Sequence, residues 1–154
     1  MQQAFIGNYH GRGEADRKSA VETFTPWEPH YQNNTLKHHE MGAIYNNSVF
    51  VVVGRGWITL DCFRIYESII SGAIPLIVGS KNEIDKLFHY NGNDMPLLTA
   101  ESWKQMLQIC QGMNDTEIDS RRTALVTWYV SKIHHIRDLI DATFNITILP
   151  DAVQ

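Results

Sequence analysis

Hydrophobic positions fall into short unbroken runs separated by longer stretches of helical periodicity. Val49 to Val53 is a continuous apolar run, and Ile74 to Val78 repeats it, which suits strands covered on both faces and therefore a parallel sheet. Between them, Asp61 to Ser71 has helical spacing. Cys62, Ile65, Tyr66, Ile69 and Ile70 form its apolar side, and Asp61, Arg64 and Glu67 form a polar stripe at three-residue steps. Pro75 sits at a strand start, where a missing amide costs least.

The same alternation extends in both directions. Ala4-Phe5-Ile6-Gly7 reads as a strand, and Gly11-Arg12-Gly13 then leads into a helix over Glu14 to Val21. Pro26 and Pro29 flank Trp27, so residues 25–34 are expected to be a surface loop, followed by a helix from Thr35 to Tyr45 capped by Thr35. Downstream, the pattern predicts a short helix over Asn82 to Phe88, a strand at Met95 to Leu98 and a helix from Glu101 to Gln111. A long helix over Glu117 to Ala142 follows, with Leu125, Trp128, Tyr129, Ile133, Ile136 and Ile140 on its packed side. Strands alternating with helices predict one α/β domain over residues 1–154, a Rossmann-like three-layer α/β/α parallel sheet with 142–154 as a tail.

Composition narrows the function classes. The chain has 154 residues, 44% of them hydrophobic, enough for one sizeable core. Its formal charge of -4 and lack of a Lys/Arg stripe predict no nucleic-acid partner. No apolar run approaches the roughly 18 residues that span a bilayer, and no basic-then-apolar leader opens the sequence. The chain as written is expected to be soluble, whether cytoplasmic or, as part of a longer membrane-anchored protein, Golgi lumenal. Cys62 and Cys110 have neither the number nor the spacing of a disulfide framework or zinc site and are expected to be core thiols. Asn33, Asn46, Asn114 and Asn145 open glycosylation triplets that matter only in the secretory pathway. His30, His38, His39 and the His134-His135 pair do not suit a shared ion, because adjacent helical residues point about 100 degrees apart, and no Asp-x-Asp occurs. No metal and no cofactor are expected.

The chemistry concentrates at Phe50-Val-Val-Val-Gly54-Arg55-Gly56. Two glycines at the carboxyl end of a strand and before a helix expose backbone amides where an anion is favoured, so a phosphate or diphosphate ligand is the first expectation. A tight strand-to-helix turn would need the same glycines, and an Arg64–Glu67 ion pair on the helix surface would explain that pair as well.

That run, the Phe63-Arg64 pair with Glu67, the Ala73-Ile74-Pro75 strand entry and the later Arg122…Trp128 helix together resemble the exostosin-like glycosyltransferases, specifically the carboxyl-terminal, donor-binding half of their GT-B catalytic domain. The resemblance is clearest from Tyr45 to Ile140 and weaker from Phe5 to Arg17. It implies binding of a nucleotide sugar, usually a UDP-sugar, as substrate, with inverting transfer to a glycan acceptor. It also implies roles for residues. Gly54, Arg55, Gly56 and Arg64 would meet the diphosphate, joined by Gly11, Arg12, Gly13 and Arg17 from the opposite loop, while Glu67 would hold the ribose. No residue stands out as the general base. Asp61 and His10 lie near predicted loop ends, and Asp61 suits a helix N-cap equally well. The acceptor half of such an enzyme is missing from this chain, so activity is expected to need a partner glycosyltransferase half or a homodimer, docked through an apolar face carrying Trp27 or Trp57. Noncatalytic binding of a nucleotide or nucleotide sugar is the alternative. A dinucleotide redox domain ranks last, because Gly54-Arg-Gly56-Trp-Ile-Thr59 lacks a third glycine and no acidic residue ends the Ile74–Val78 strand.

Overall fold

The computed structural model describes residues 3–6, 14–26, 29–32, 37–56, 59–90 and 93–144. The chain begins with β1 (Gln3–Ile6), α1 (Glu14–Phe24), β2 (Pro29–Gln32) and α2 (His38–Asn46). It continues through β3 (Phe50–Val52), α3 (Phe63–Ile70), β4 (Ile74–Val78) and α4 (Lys81–Phe88). A small antiparallel hairpin, β5 (His89–Tyr90) with β6 (Asn93–Asp94), precedes β7 (Leu98–Ala100), α5 (Trp103–Gly112) and α6 (Asp115–Phe144).

The main sheet has the order β2-β1-β3-β4-β7, and each neighbouring pair is parallel. This is the Rossmann-like α/β/α arrangement the sequence predicts. Its order reverses between β1 and β3, since the chain leaves β1 towards β2 and leaves β3 towards β4. In open parallel sheets, that reversal opens a crevice at the carboxyl ends of the two strands, where ligands bind. α1 packs with α5, and α3 packs with α6.

The two central runs behave as their composition requires. Phe50, Val51 and Val52 are buried, as is every residue of β4, and Ile65 and Ile69 of α3 close over them. Each such side chain contributes roughly 1.5–3 kcal/mol of transfer free energy. α3 ends in a Schellman motif: the Gly72 amide donates to the Ile69 carbonyl and the Ala73 amide to that of Ser68, both at 2.9 Å. Gly72 adopts φ 74°, and this left-handed residue turns the chain directly into β4.

Several boundaries differ from the pattern-based expectation. Residues 25–34, expected to be a loop, contain β2, a strand at the sheet edge that begins at Pro29. The first position of an edge strand is where a proline can sit without breaking a ladder bond. The strand expected at Met95 to Leu98 lies at Leu98–Ala100, with Pro96 just before it. α2 is capped at Lys37, whose amide donates to Glu40 Oε2 at 2.7 Å, and Thr35 lies outside the described residues. α6 begins at Asp115 because Asn114 and Glu117 exchange amide-to-side-chain hydrogen bonds at 2.9 and 3.0 Å, a capping box.

α6 departs most from its expected packing. Leu125 is buried, and Trp128 and Tyr129 are packed against the core, but Ile133, Ile136 and Ile140 are 38%, 37% and 42% exposed. The reason is length. A helix of 30 residues extends about 45 Å, whereas strands of three to five residues span far less, so the distal half runs past the sheet. The proximal half is tied to the amino edge of the sheet: Arg122 donates to the Ser48 carbonyl at 3.3 Å and Arg121 to that of Pro96 at 3.2 Å. No helix among the described residues is long and apolar enough to cross a membrane.

Candidate functional site

The carboxyl edge of β3 carries the loop that the sequence singled out. Gly56 is required there by close packing, because a Cβ at this position would run into the Asp61 carbonyl and come within 3.0 Å of that of Thr59. Gly54 lies under the stem of Arg17, where a Cβ would meet Cγ at 2.6 Å. Both glycines therefore serve the folding of the loop itself, whatever they do for a ligand.

Around this loop the structure assembles a charged network that sequence reading did not foresee. Asp16, in the first turn of α1, accepts a hydrogen bond from the Trp103 indole at 2.8 Å and another from the Arg55 amide at 3.2 Å. Arg17, 8% exposed, donates from Nη2 to the Arg55 carbonyl at 2.6 Å. The Arg55 guanidinium forks onto Glu83 near the start of α4, with Nη1 on Oε2 at 3.3 Å and Nη2 on Oε1. Glu83 is fixed in turn by Ser80, which caps α4 by accepting from the Glu83 amide at 3.3 Å. Arg17 and Arg55 thus meet at the loop as expected, but Arg55 is held by a carboxylate and a backbone contact. Nothing in the sequence flags Asp16, since its partners lie 39 and 87 residues away.

The second polar group lies on α3. Cys62 is the N-cap and makes no side-chain capping bond, so Asp61 does not cap this helix. Asp61 instead faces Tyr66, whose phenol pKa is pushed up to about 12 by burial first and by the Asp61 charge second. Cys62 is half-buried, with Arg64 Nη1 3.9 Å from its sulfur, and is not the core thiol expected. Cys110 is one, its pKa pushed up to about 12 by burial.

Arg64 and Glu67, three residues apart, share the half-buried side of α3. Tyr45 of α2 meets them: it is 1% exposed, with Arg64 within hydrogen-bonding reach of its hydroxyl and Glu67 and Cys62 beside it. Burial, above all, holds that phenol well above its ordinary pKa. The Glu67 Oε2 atom is buried and has no hydrogen-bond partner among the described residues.

Gly11, Arg12, Gly13, His10, Trp27 and Trp57 lie outside the described residues. Among those described, no three His, Cys, Asp or Glu side chains converge as a metal site. An open groove of about 600 Å³ between α5 and α6, lined by Leu98, Ile109, Met113, Thr116 and Arg121, lies at the amino end of β7 and is separate from the crevice.

Comparison with curated proteins and with solved structures gives no significant match. The family model described as RXYLT1 C-terminal domain matches residues 7–147, a span that begins just after β1 and includes β3, the glycine loop, α3 and all of α6. With nearly the whole chain covered, the protein belongs to this exostosin-like glycosyltransferase family.

Proposed function

We propose that this chain is the donor-binding domain of a glycosyltransferase that takes a nucleotide sugar, a UDP-sugar in the first instance, and transfers the sugar with inversion to a glycan acceptor. The observation that carries the reading is Glu67. Its carboxylate sits on the helix that follows β3, at the point where the strand order reverses, with one oxygen buried and unengaged among the described residues. A carboxylate so placed accepts two hydrogen bonds from the vicinal hydroxyls of a ribose, and an arginine one turn away supplies the fixed cation that a diphosphate leaving group requires. The N-terminus of α3 has no side-chain cap, leaving its first amides for the same anion.

Asp61 favours a second reading. Asp61, the described candidate for a general base, is exposed and already interacts with the Tyr66 phenol. A chain that binds the donor without turning it over, its base supplied by an acceptor-binding half, fits that placement.

Isothermal titration with UDP, UDP-xylose, other UDP-sugars, GDP and NAD, each with and without chelator, tests the proposal. UDP-xylose leads the panel because the family is one of xylosyltransferases. Chelator-independent binding of UDP ligands is expected, and silence towards every nucleotide would overturn the reading. A turnover assay then separates enzyme from binding module.

A further inference from the structure

Tyr45 lies near the end of α2, and its phenol is buried among groups of opposite charge. Such a position is unfavourable for a hydroxyl unless it is hydrogen-bonded, since a buried polar group without a good partner costs roughly 1–3 kcal/mol. The hydroxyl makes no complete hydrogen bond among the described residues, and neither does Glu67 Oε2, although the two groups are neighbours. A phenol can accept one hydrogen bond and donate one, whereas a guanidinium only donates and a carboxylate only accepts. Placed between Arg64 and Glu67, Tyr45 is the residue type that links the two.

We infer that Tyr45 is a positioning residue of the donor site: its buried hydroxyl accepts from the Arg64 guanidinium and donates to the inner oxygen of Glu67 as the nucleotide enters. The inference rests on the donor-site reading above and deepens it. With its inner oxygen engaged, Glu67 presents its outer oxygen to the ribose in one orientation, and Arg64 keeps its remaining N–H groups directed at the diphosphate. Tyr45 then sharpens discrimination between ribose and deoxyribose without touching either, because a carboxylate held in one rotamer gains from a vicinal diol what a free one loses to rotation.

The test is the Tyr45→Phe variant, which keeps the ring that fills the core and deletes the hydroxyl. Titration of wild type, Tyr45→Phe and Glu67→Gln with UDP and with 2′-deoxy-UDP reads the effect. Tyr45→Phe is expected to weaken UDP about tenfold and 2′-deoxy-UDP by less, so that the preference between them shrinks while thermal stability holds or rises. Normal wild-type binding with an unchanged preference in Tyr45→Phe would overturn the positioning role alone. Failure of wild type to bind any nucleotide would overturn the donor-site reading itself. In the protein saturated with UDP, the carboxyl carbon resonance of Glu67 is expected to move in Tyr45→Phe, and a signal that stays in place would overturn the linkage.

Discussion

Two polar groups lie around the loop that follows β3, and they differ in how far their carboxylates are engaged. On the α1 side, Asp16, Arg55, Glu83 and Trp103 satisfy one another, carboxylate to indole, carboxylate to amide and guanidinium to carboxylate. On the α3 side, Glu67 Oε2 is buried without a hydrogen-bond partner among the described residues, and the buried Tyr45 hydroxyl has Arg64 within reach but no complete hydrogen bond. A closed network holds a loop in place, whereas an open one is disposed to receive a ligand. In the proposed reading, the arginine nearest the glycine loop, the obvious phosphate ligand from sequence, falls on the scaffold side, and the ligand side is anchored by a carboxylate and a phenol.

The comparison breaks most readily at Gly56. Gly56→Ala places a methyl against the backbone of Asp61 and Thr59, which cannot move aside as a flexible side chain would. A loss of about 2–3 kcal/mol in unfolding free energy is expected, together with loss of nucleotide binding, because the whole loop between β3 and α3 must shift. Denaturant unfolding and titration with UDP measure the two effects; a variant as stable as wild type would mean that the loop is not held by this packing.

Glu67→Gln probes the open side. The amide keeps the shape but gives up the charge that makes two acceptor bonds to a diol strong, so UDP affinity is expected to fall about tenfold to a hundredfold. Stability is expected to hold or rise, since an incompletely satisfied buried carboxylate becomes neutral. Loss of stability without loss of affinity would place Glu67 in the scaffold and erase the contrast between the two sides.

Asp16→Ala does the reverse. It leaves the Trp103 indole N–H, beside a ring packed edge-on against Phe24 at 6.0 Å, without its acceptor, and frees the Arg55 amide. About 1–2 kcal/mol of stability is expected to be lost, with a smaller effect on UDP affinity than Glu67→Gln. Unfolding curves monitored by tryptophan fluorescence, alongside titration, rank the two.

Much of the frame was legible before the structure because it depends on local pattern. β3 and β4 are continuous apolar segments buried throughout, and Ile65 and Ile69 of the periodic α3 are buried as expected, whereas Ile70, expected on the same side, is 65% exposed at the end of the helix. β2 escaped notice because Pro26 and Pro29 look like turn residues until the strand is known to be an edge. The distal half of α6 was assigned a packed side that it does not have, because periodicity reports which face of a helix is apolar and not whether anything covers it. At the site, the Gly54 to Gly56 loop and the Arg64–Glu67 pair were visible as spacing, and Gly11 to Gly13 lie outside the described residues. Asp16, Glu83 and Tyr45 were not visible, since each gains its meaning from a partner that the fold brings from far along the chain.

Arg55→Ala should produce the smallest change and decides the most about the comparison. The residue was expected to grip a diphosphate, yet its fork is on Glu83, and both side chains are 32% exposed. A partly exposed ion pair contributes under about 1 kcal/mol, so stability should change little, and the Asp16 and Arg17 contacts survive because they use the Arg55 backbone. If Arg55 is scaffold, UDP affinity in Arg55→Ala stays within about threefold of wild type, whereas Arg64→Ala loses at least tenfold. If a diphosphate instead draws Arg55 away from Glu83, Arg55→Ala weakens binding as much as Arg64→Ala does. Glu83→Gln would then strengthen binding by removing the competitor. Measuring the three variants side by side distinguishes a latch that ligand opens from one that stays shut, because only an opening latch makes Glu83 an opponent of the nucleotide.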